Sequence, residues 1–135
     1  MSNQIAQSSQ GSYLSFYSKR DLAVSLYKNY ITAVDTSTRT LISVPLVRGN
    51  SYIITSCICV CDGTGYIVYW YRAPIYYPLV GSVTISSNIT HIVNGNITGT
   101  TLTEVANTAN NSYDIQITGV SSRSINFGCH TRVIN

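Results

Sequence analysis

The chain has 135 residues, 44% of them apolar or aromatic and only 10% charged, with a formal net charge of +3. This length suits one domain with a single core and is too short for two. Normal apolar content with a small net charge excludes disorder. Eight Lys and Arg, single apart from the Lys19-Arg20 pair, make no basic run of the kind a nucleic-acid binder carries.

Ser, Thr and Asn together number 44. Soluble domains usually carry about a quarter charged residues, so hydroxyls and amides must solvate this surface instead. Eleven Tyr and 28 Ile plus Val favour strands over helices. Residues 1–11 (MSNQIAQSSQG) have no basic n-region and no apolar h-region, so no signal peptide is expected. No stretch approaches about 18 uninterrupted apolar residues, and no membrane partner is expected. Synthesis in a reducing cytosol then predicts free thiols at Cys57, Cys59, Cys61 and Cys129, although an even count leaves disulfides open.

Residues 1–11 are polar and expected to be loosely held unless a partner orders them. Asp21 to Tyr27 alternates Leu22, Val24 and Leu26 against Ala23, Ser25 and Tyr27, which predicts a strand; a short helix lined by Leu22, Leu26 and Tyr30 is the alternative. Thr36 to Thr40 reads as a hydroxyl-rich turn. Leu41 to Val47 is extended but interrupted by Pro45, which marks a strand edge or bulge. Arg48-Gly49-Asn50 is a turn. Ser51 to Cys61 (SYIITSCICVC) predicts a long strand, with Tyr52, Ile54, Ile58 and Val60 on one face and Ile53, Thr55 and three cysteines on the other. Asp62 to Gly65 is a tight connection, and Tyr66 to Ala73 (YIVYWYRA) returns as the hairpin partner.

Pro74 and Pro78 bracket a Tyr76-Tyr77 loop. Shorter strands follow over Leu79–Ile85, Thr90–Val93 and Ile97–Val105, with Asn94-Gly95 as a hairpin turn and Gly99 as an interruption. Asn107 to Asn111 is a polar loop. Ser112 to Gly119 places Tyr113, Ile115 and Ile117 on one face. Arg123 to Ile134 closes the chain with Ile125, Phe127, Cys129 and Val133 inward. Short strands recurring every 8–12 residues or so between turn signals predict an all-β fold, an antiparallel β-sandwich with jelly-roll-like character.

General acid–base chemistry needs paired carboxylates or a positioned imidazole. Asp21, Asp35, Asp62, Glu104 and Asp114 are not closely spaced, and His91 and His130 stand alone. No nucleophile elbow, phosphate loop or dinucleotide fingerprint is present. No catalytic residue is therefore expected, and no cofactor. Cys57-Ile-Cys-Val-Cys61 suggests zinc. In a strand, however, its thiols stand about 6.6–7 Å apart per two-residue step, against roughly 4 Å between the sulfurs of a tetrahedral site. Small side chains lining a core face are the reading adopted, with no metal. The triplets starting at Asn88, Asn96 and Asn110 match the glycosylation pattern by composition alone.

The aromatic group Tyr66, Tyr69, Trp70, Tyr71, Tyr76 and Tyr77 carries the binding expectation. Alternation puts Tyr66 and Trp70 on one strand face and Tyr69 and Tyr71 on the other. One set belongs to the core; the other, with the Tyr76-Tyr77 loop, is half exposed or packed against another subunit. Tyr69, Trp70, Tyr71, Tyr76 and Tyr77 are the candidate binding residues, for subunit contact or for stacking on a glycan.

From about Leu41 the phrasing resembles a β-sandwich module of virion appendage and fibre proteins of tailed phages and related minor structural proteins. The residues concerned are RGNSYIIT (48–55), the glycine turn and aromatic return strand of 63–72, LVGSVT (79–84) and SYDIQITGVSSRSINFGCHTRVI (112–134). Ile125-Asn126-Phe127 stands where the final strand of such modules begins. The resemblance implies a structural role in a particle, commonly as a homotrimer beside other virion proteins, with assembly in the host cytoplasm and contact with a host surface glycan as receptor. It brings no catalytic residue. Cysteines replace branched aliphatics in one strand. Residues 1–40 have no counterpart and are read as a docking arm with a first strand, leaving 41–135 as the sandwich. A weakly charged, Tyr-rich surface without Lys or Glu gatekeepers suits repeated subunit packing. The alternative function is a lectin-like carbohydrate-binding module.

Overall fold

Residues 24–86, 89–94 and 96–135 are described by a computed structural model. They form strands β1 (Val24–Ala33), β2 (Thr38–Pro45), β3 (Asn50–Cys61), β4 (Tyr66–Tyr77), β5 (Thr84–Ile85), β6 (Ile89–Asn94), β7 (Thr101–Asn107), β8 (Ser112–Thr118) and β9 (Ile125–Ile134). A six-stranded sheet runs β1-β9-β3-β4-β5, with β6 also paired to β4, and a three-stranded sheet runs β2-β8-β7. Every pairing is antiparallel. The two sheets make a β-sandwich. Its wrapping is jelly-roll-like where β1 and β2 cross between sheets beside β9 and β8. It departs from that pattern at β3 and β4, which stay together in one sheet as a hairpin.

Period-two alternation decides which side chains fill the space between the sheets. Tyr52, Ile54, Ile58 and Val60 of β3, Ile67, Tyr71, Ala73, Ile75 and Tyr77 of β4, and Ile125, Phe127, Cys129 and Val133 of β9 are buried. They meet Leu41 and Val44 of β2 and Tyr113, Ile115 and Ile117 of β8. Burying each large apolar side chain contributes about 1.5–3 kcal/mol. Ser56 and Thr131, paired across β3 and β9, are buried hydroxyls that satisfy each other at 2.8 Å, so neither leaves a stranded polar group.

Two connections depend on particular residues. In the β3–β4 turn the Asp62 carboxylate accepts N–H bonds from Thr64 at 3.0 Å and Gly65 at 2.8 Å, and the Thr64 hydroxyl at 3.0 Å. Gly63 takes φ 93°, a conformation side chains resist. Arg123, from the β8–β9 connection, pairs with the same carboxylate. At Gly119 the chain leaves β8 so close to β1 that an added Cβ would lie 2.8 Å from both the Ala33 Cβ and the Asp35 carbonyl oxygen.

Several boundaries differ from the sequence expectation. The turn expected over Thr36–Thr40 lies earlier. Asp35 Oδ1 accepts the Ser37 N–H at 3.0 Å, closing the bend, and Thr38, Arg39 and Thr40 already pair with β8. The expected Tyr76-Tyr77 loop is strand. Pro74 does not end β4, because pairing with β6 stops at Arg72 and pairing with β5 starts at Ile75. The missing N–H falls in that gap, and the Pro74 carbonyl accepts from Ser86 N–H at 2.9 Å. Leu79–Ile85 reduces to Thr84–Ile85, and Ile97–Val105 shifts to Thr101–Asn107, after Gly99 at φ 88° breaks the extension. Residues 1–23, Asn88 and the Gly95 half of the Asn94-Gly95 turn lie outside the described residues, as does the start of the expected Asp21–Tyr27 strand.

Candidate functional site: the outer face of the six-stranded sheet

β4 divides the expected binding residues between its two faces. Trp70 and Tyr76 point outward, each 48% exposed, whereas Tyr71 is 8% and Tyr77 0% exposed. Tyr69 is half-buried against the core and stacks with Tyr71, ring centroids 6.1 Å apart. Tyr77 carries the Arg48 guanidinium 4.4 Å above its ring and hydrogen-bonds Asn111 through its hydroxyl. Burial, and then the nearby Glu104 charge, pushes the Tyr71 phenol up to about 12 and Tyr113 further above its ordinary value. Of the five candidates, two stand on an accessible surface and three belong to the sandwich interior.

The cysteines reverse the expectation of a core-lining strand. Cys57 is half-buried and Cys59 and Cys61 are exposed, while Cys129 is buried. The larger Tyr, Ile and Val side chains of β3 bury more apolar area and so take the inner face, leaving the thiols outside. All four are free. Among the described residues no group of three His, Cys, Asp or Glu could hold a metal ion.

Register then assembles the outer face. Tyr30, Gly128, Cys59 and Val68 form one cross-strand row. Lys28, His130, Cys57 and Trp70 form the next, and Leu26, Arg132, Thr55 and Arg72 the one after. Val24, Ile134, Ile53 and Pro74 follow, with Tyr76 one step beyond. Leu26 and Tyr30 are 61% and 64% exposed. A depression of about 490 Å³ lies over Lys28, Tyr30, Cys57, Cys59 and His130. A second, about 460 Å³, lies over Ser51, Ile53, Pro74, Tyr76 and Ile134.

Charges are unevenly distributed. Arg39 pairs with Asp35 at 3.1 Å, Arg123 with Asp62, and Arg48 donates to the Gly81 carbonyl at 2.8 Å. Lys28, Arg72 and Arg132 have no hydrogen-bond or ion-pair partner among the described residues. They share two adjacent rows of this face. The described carboxylates lie elsewhere: Asp35 and Asp62 in connections, Glu104 and Asp114 in the three-stranded sheet. Sequence reasoning missed this grouping. Arg72 follows Trp70 by two, a local signal, but Lys28 and Arg132 join them only through the pairing of the first described and last strands.

The surface offers binding groups more than reactive ones. Cys57 and His130 face each other across β3 and β9, yet burial and then neighbouring Cys59 push the Cys57 thiol up. An activated nucleophile requires the opposite shift.

No protein-family model and no curated protein matches the chain. Two solved structures are similar to it in part. One is tailspike protein gp49 from Acinetobacter baumannii bacteriophage Fri1, described as a capsular polysaccharide depolymerase. It is 15% identical, with 85% of this chain and 18% of that chain covered and a TM-score of 0.43. The other is the tailspike protein of Acinetobacter phage vB_ApiP_P1, 16% identical, with 96% and 24% covered and a TM-score of 0.34. The chain thus spans less than a quarter of the length of either tailspike.

Proposed function

We propose that this chain is a non-enzymatic structural module of a virion appendage that self-associates, as a homotrimer, and sits beside other virion proteins. The phrasing of residues 48–55, 79–84 and 112–134 supports the virion setting. One observation supports self-association: Val24, Ile53 and Tyr76 stand 54%, 39% and 48% exposed at one end of a single sheet face. Exposed apolar surface of this kind, continuous across β1, β9, β3 and β4, is covered in stable proteins by a partner, and a second and third copy are the partners a symmetric particle supplies. Light scattering of the purified chain should give a mass three times the 14.8 kDa monomer. A monomer persisting to high concentration would remove the reading.

A second reading, a carbohydrate-binding module, is favoured by Trp70. Its half-exposed indole stands on the outward face two rows from Val24 and Pro74, and a Trp there offers the rigid aromatic platform on which a sugar ring stacks. Trp70→Ala should then abolish glycan retention without altering the circular dichroism spectrum.

A further inference from the structure

The position of the cations that have no partner among the described residues narrows what Trp70 would meet. We infer that the Lys28–Trp70 and Leu26–Arg72 rows form a binding surface for an acidic polysaccharide, one bearing carboxylates or sulfates, with Lys28, Arg72 and Arg132 reading the charge and Trp70 stacking on a sugar. The inference rests on the carbohydrate-binding reading above and adds the chemical class of the ligand and the residues that select it.

Three of the six Lys and Arg among the described residues are neutralised or tied to backbone carbonyls inside the chain. The other three all fall on one face that carries no described carboxylate. Scattered solubilising charges would not sort themselves in this way. Arg132 and Arg72 are two strands apart in one row, about 9.5 Å at the usual inter-strand spacing. Lys28 stands in the adjacent row, beyond His130 from Cys57 and Trp70. Like charges this close raise the local potential and favour a ligand that brings several negative charges along an extended chain. The same repulsion disfavours two copies docking face to face here, which leaves the band open when the apolar end is used for self-association.

The aromatic count selects the polymer. Single-stranded nucleic acid uses successive aromatic platforms beneath successive bases. Here Trp70 is the one Trp, Tyr or Phe among the described residues of the two cationic rows, and Tyr66 and Tyr76 stand four and six residues away along β4, about 13 and 20 Å. One ring with flanking cations and neighbouring hydroxyls such as Thr55 suits a sugar chain with periodic acid groups.

Polygalacturonate, polysialic acid and chondroitin sulfate should each be tested by calorimetry on the full chain, with dextran and poly(dT) alongside and oligomer mass recorded in every sample. At least one acidic glycan should bind more tightly than dextran and poly(dT), with affinity falling as salt rises. Arg72→Gln with Arg132→Gln should weaken it by about tenfold or more, Trp70→Ala similarly, and Arg39→Gln, which removes a charge off this face, should leave it unchanged. Trp70-dependent binding to dextran without acid preference would overturn the inference while leaving the carbohydrate reading standing. No glycan bound would overturn both, and tighter binding of poly(dT) would replace the ligand class.

Discussion

The outer faces of the two sheets treat polar and charged groups in opposite ways. On the three-stranded sheet, Asp114 is only 4% exposed. Its Oδ1 accepts the hydroxyls of Ser43 at 2.6 Å and Ser112 at 2.9 Å, and its Oδ2 accepts from the Asn107 amide at 2.9 Å. One carboxylate thereby ties β2, β8 and β7 together from outside. On the six-stranded sheet, Lys28, Arg72 and Arg132 have no hydrogen-bond or ion-pair partner among the described residues, and Trp70 and Tyr30 stand exposed in the same and the adjacent row. The first face spends its polar groups on holding the sheet. The second holds itself through β3, β4 and β9 packing, and its outward cations play no part in that hold among the described residues.

That contrast predicts a sharp division between neighbouring residues. Tyr77→Ala, which empties a fully buried site beneath Arg48, should cost about 3–5 kcal/mol in urea unfolding. Tyr76→Ala, one residue away on the outward face, should change stability by no more than about 0.5 kcal/mol and instead lower the oligomer mass. Equal stability losses at the two positions would break the distinction between inner and outer faces of β4. A smaller effect is expected from Asp114→Ala. It unpairs three donors at once and should cost about 1–3 kcal/mol, whereas Arg132→Ala on the other sheet should be close to neutral in unfolding.

How much of this was legible in the sequence follows from how local each feature is. The β3–β4 hairpin was readable because Asp62, two glycines and two alternating runs sit side by side. The inward sets Tyr113, Ile115, Ile117 and Ile125, Phe127, Cys129, Val133 were readable for the same reason. The side taken by Cys57, Cys59 and Cys61 was misread, because both faces of β3 are apolar and only competition for core area separates them. Pro74 concealed Tyr76 and Tyr77, since a proline is compatible with a strand only where its N–H has no partner to lose, and that depended on β5 and β6. The cationic rows were the least legible. They require Lys28 and Arg132, about a hundred residues apart, to be neighbours across β1 and β9.

Acid sensitivity tests the connections that hold the two sheets in place. Asp35 is held at about 2, first by the Ser37 hydroxyl, then by its N–H and by Arg39. Asp62 is held well below the carboxylate range, first by the Thr64 and Gly65 N–H groups and then by the Thr64 hydroxyl and Arg123. Both bind protons less readily folded than unfolded. Their stabilisation is therefore complete above the unfolded value of about 3.9 and is lost as pH falls through the folded values. Unfolding midpoints should drop below about pH 4, and Asp35→Asn with Asp62→Asn should flatten that limb. An unchanged acid limb in the double variant would show that these turns contribute no proton-linked stability.

The smallest effect concerns the thiols, and it divides the two sides of the six-stranded sheet without a measurement of stability. Cys59 and Cys61 are exposed on the outer face, Cys57 is half-buried there, and Cys129 is on the core side. Alkylation proceeds through the thiolate. Burial pushes the Cys129 thiol up, only partly offset by the Thr131 hydroxyl, and Cys57 is raised by burial and by Cys59. Iodoacetamide followed by peptide mass mapping should modify Cys59 and Cys61 first, Cys57 more slowly, and Cys129 only on unfolding. Protection of Cys59 and Cys61 that disappears on dilution would place that end of the face inside the oligomer. Protection that appears only with an acidic glycan bound, at constant mass, would place it beside the ligand. Labelling of Cys129 in the native chain would mean that β9 opens away from β3, and the division between a closed interior and an outward-facing surface would fail at its centre.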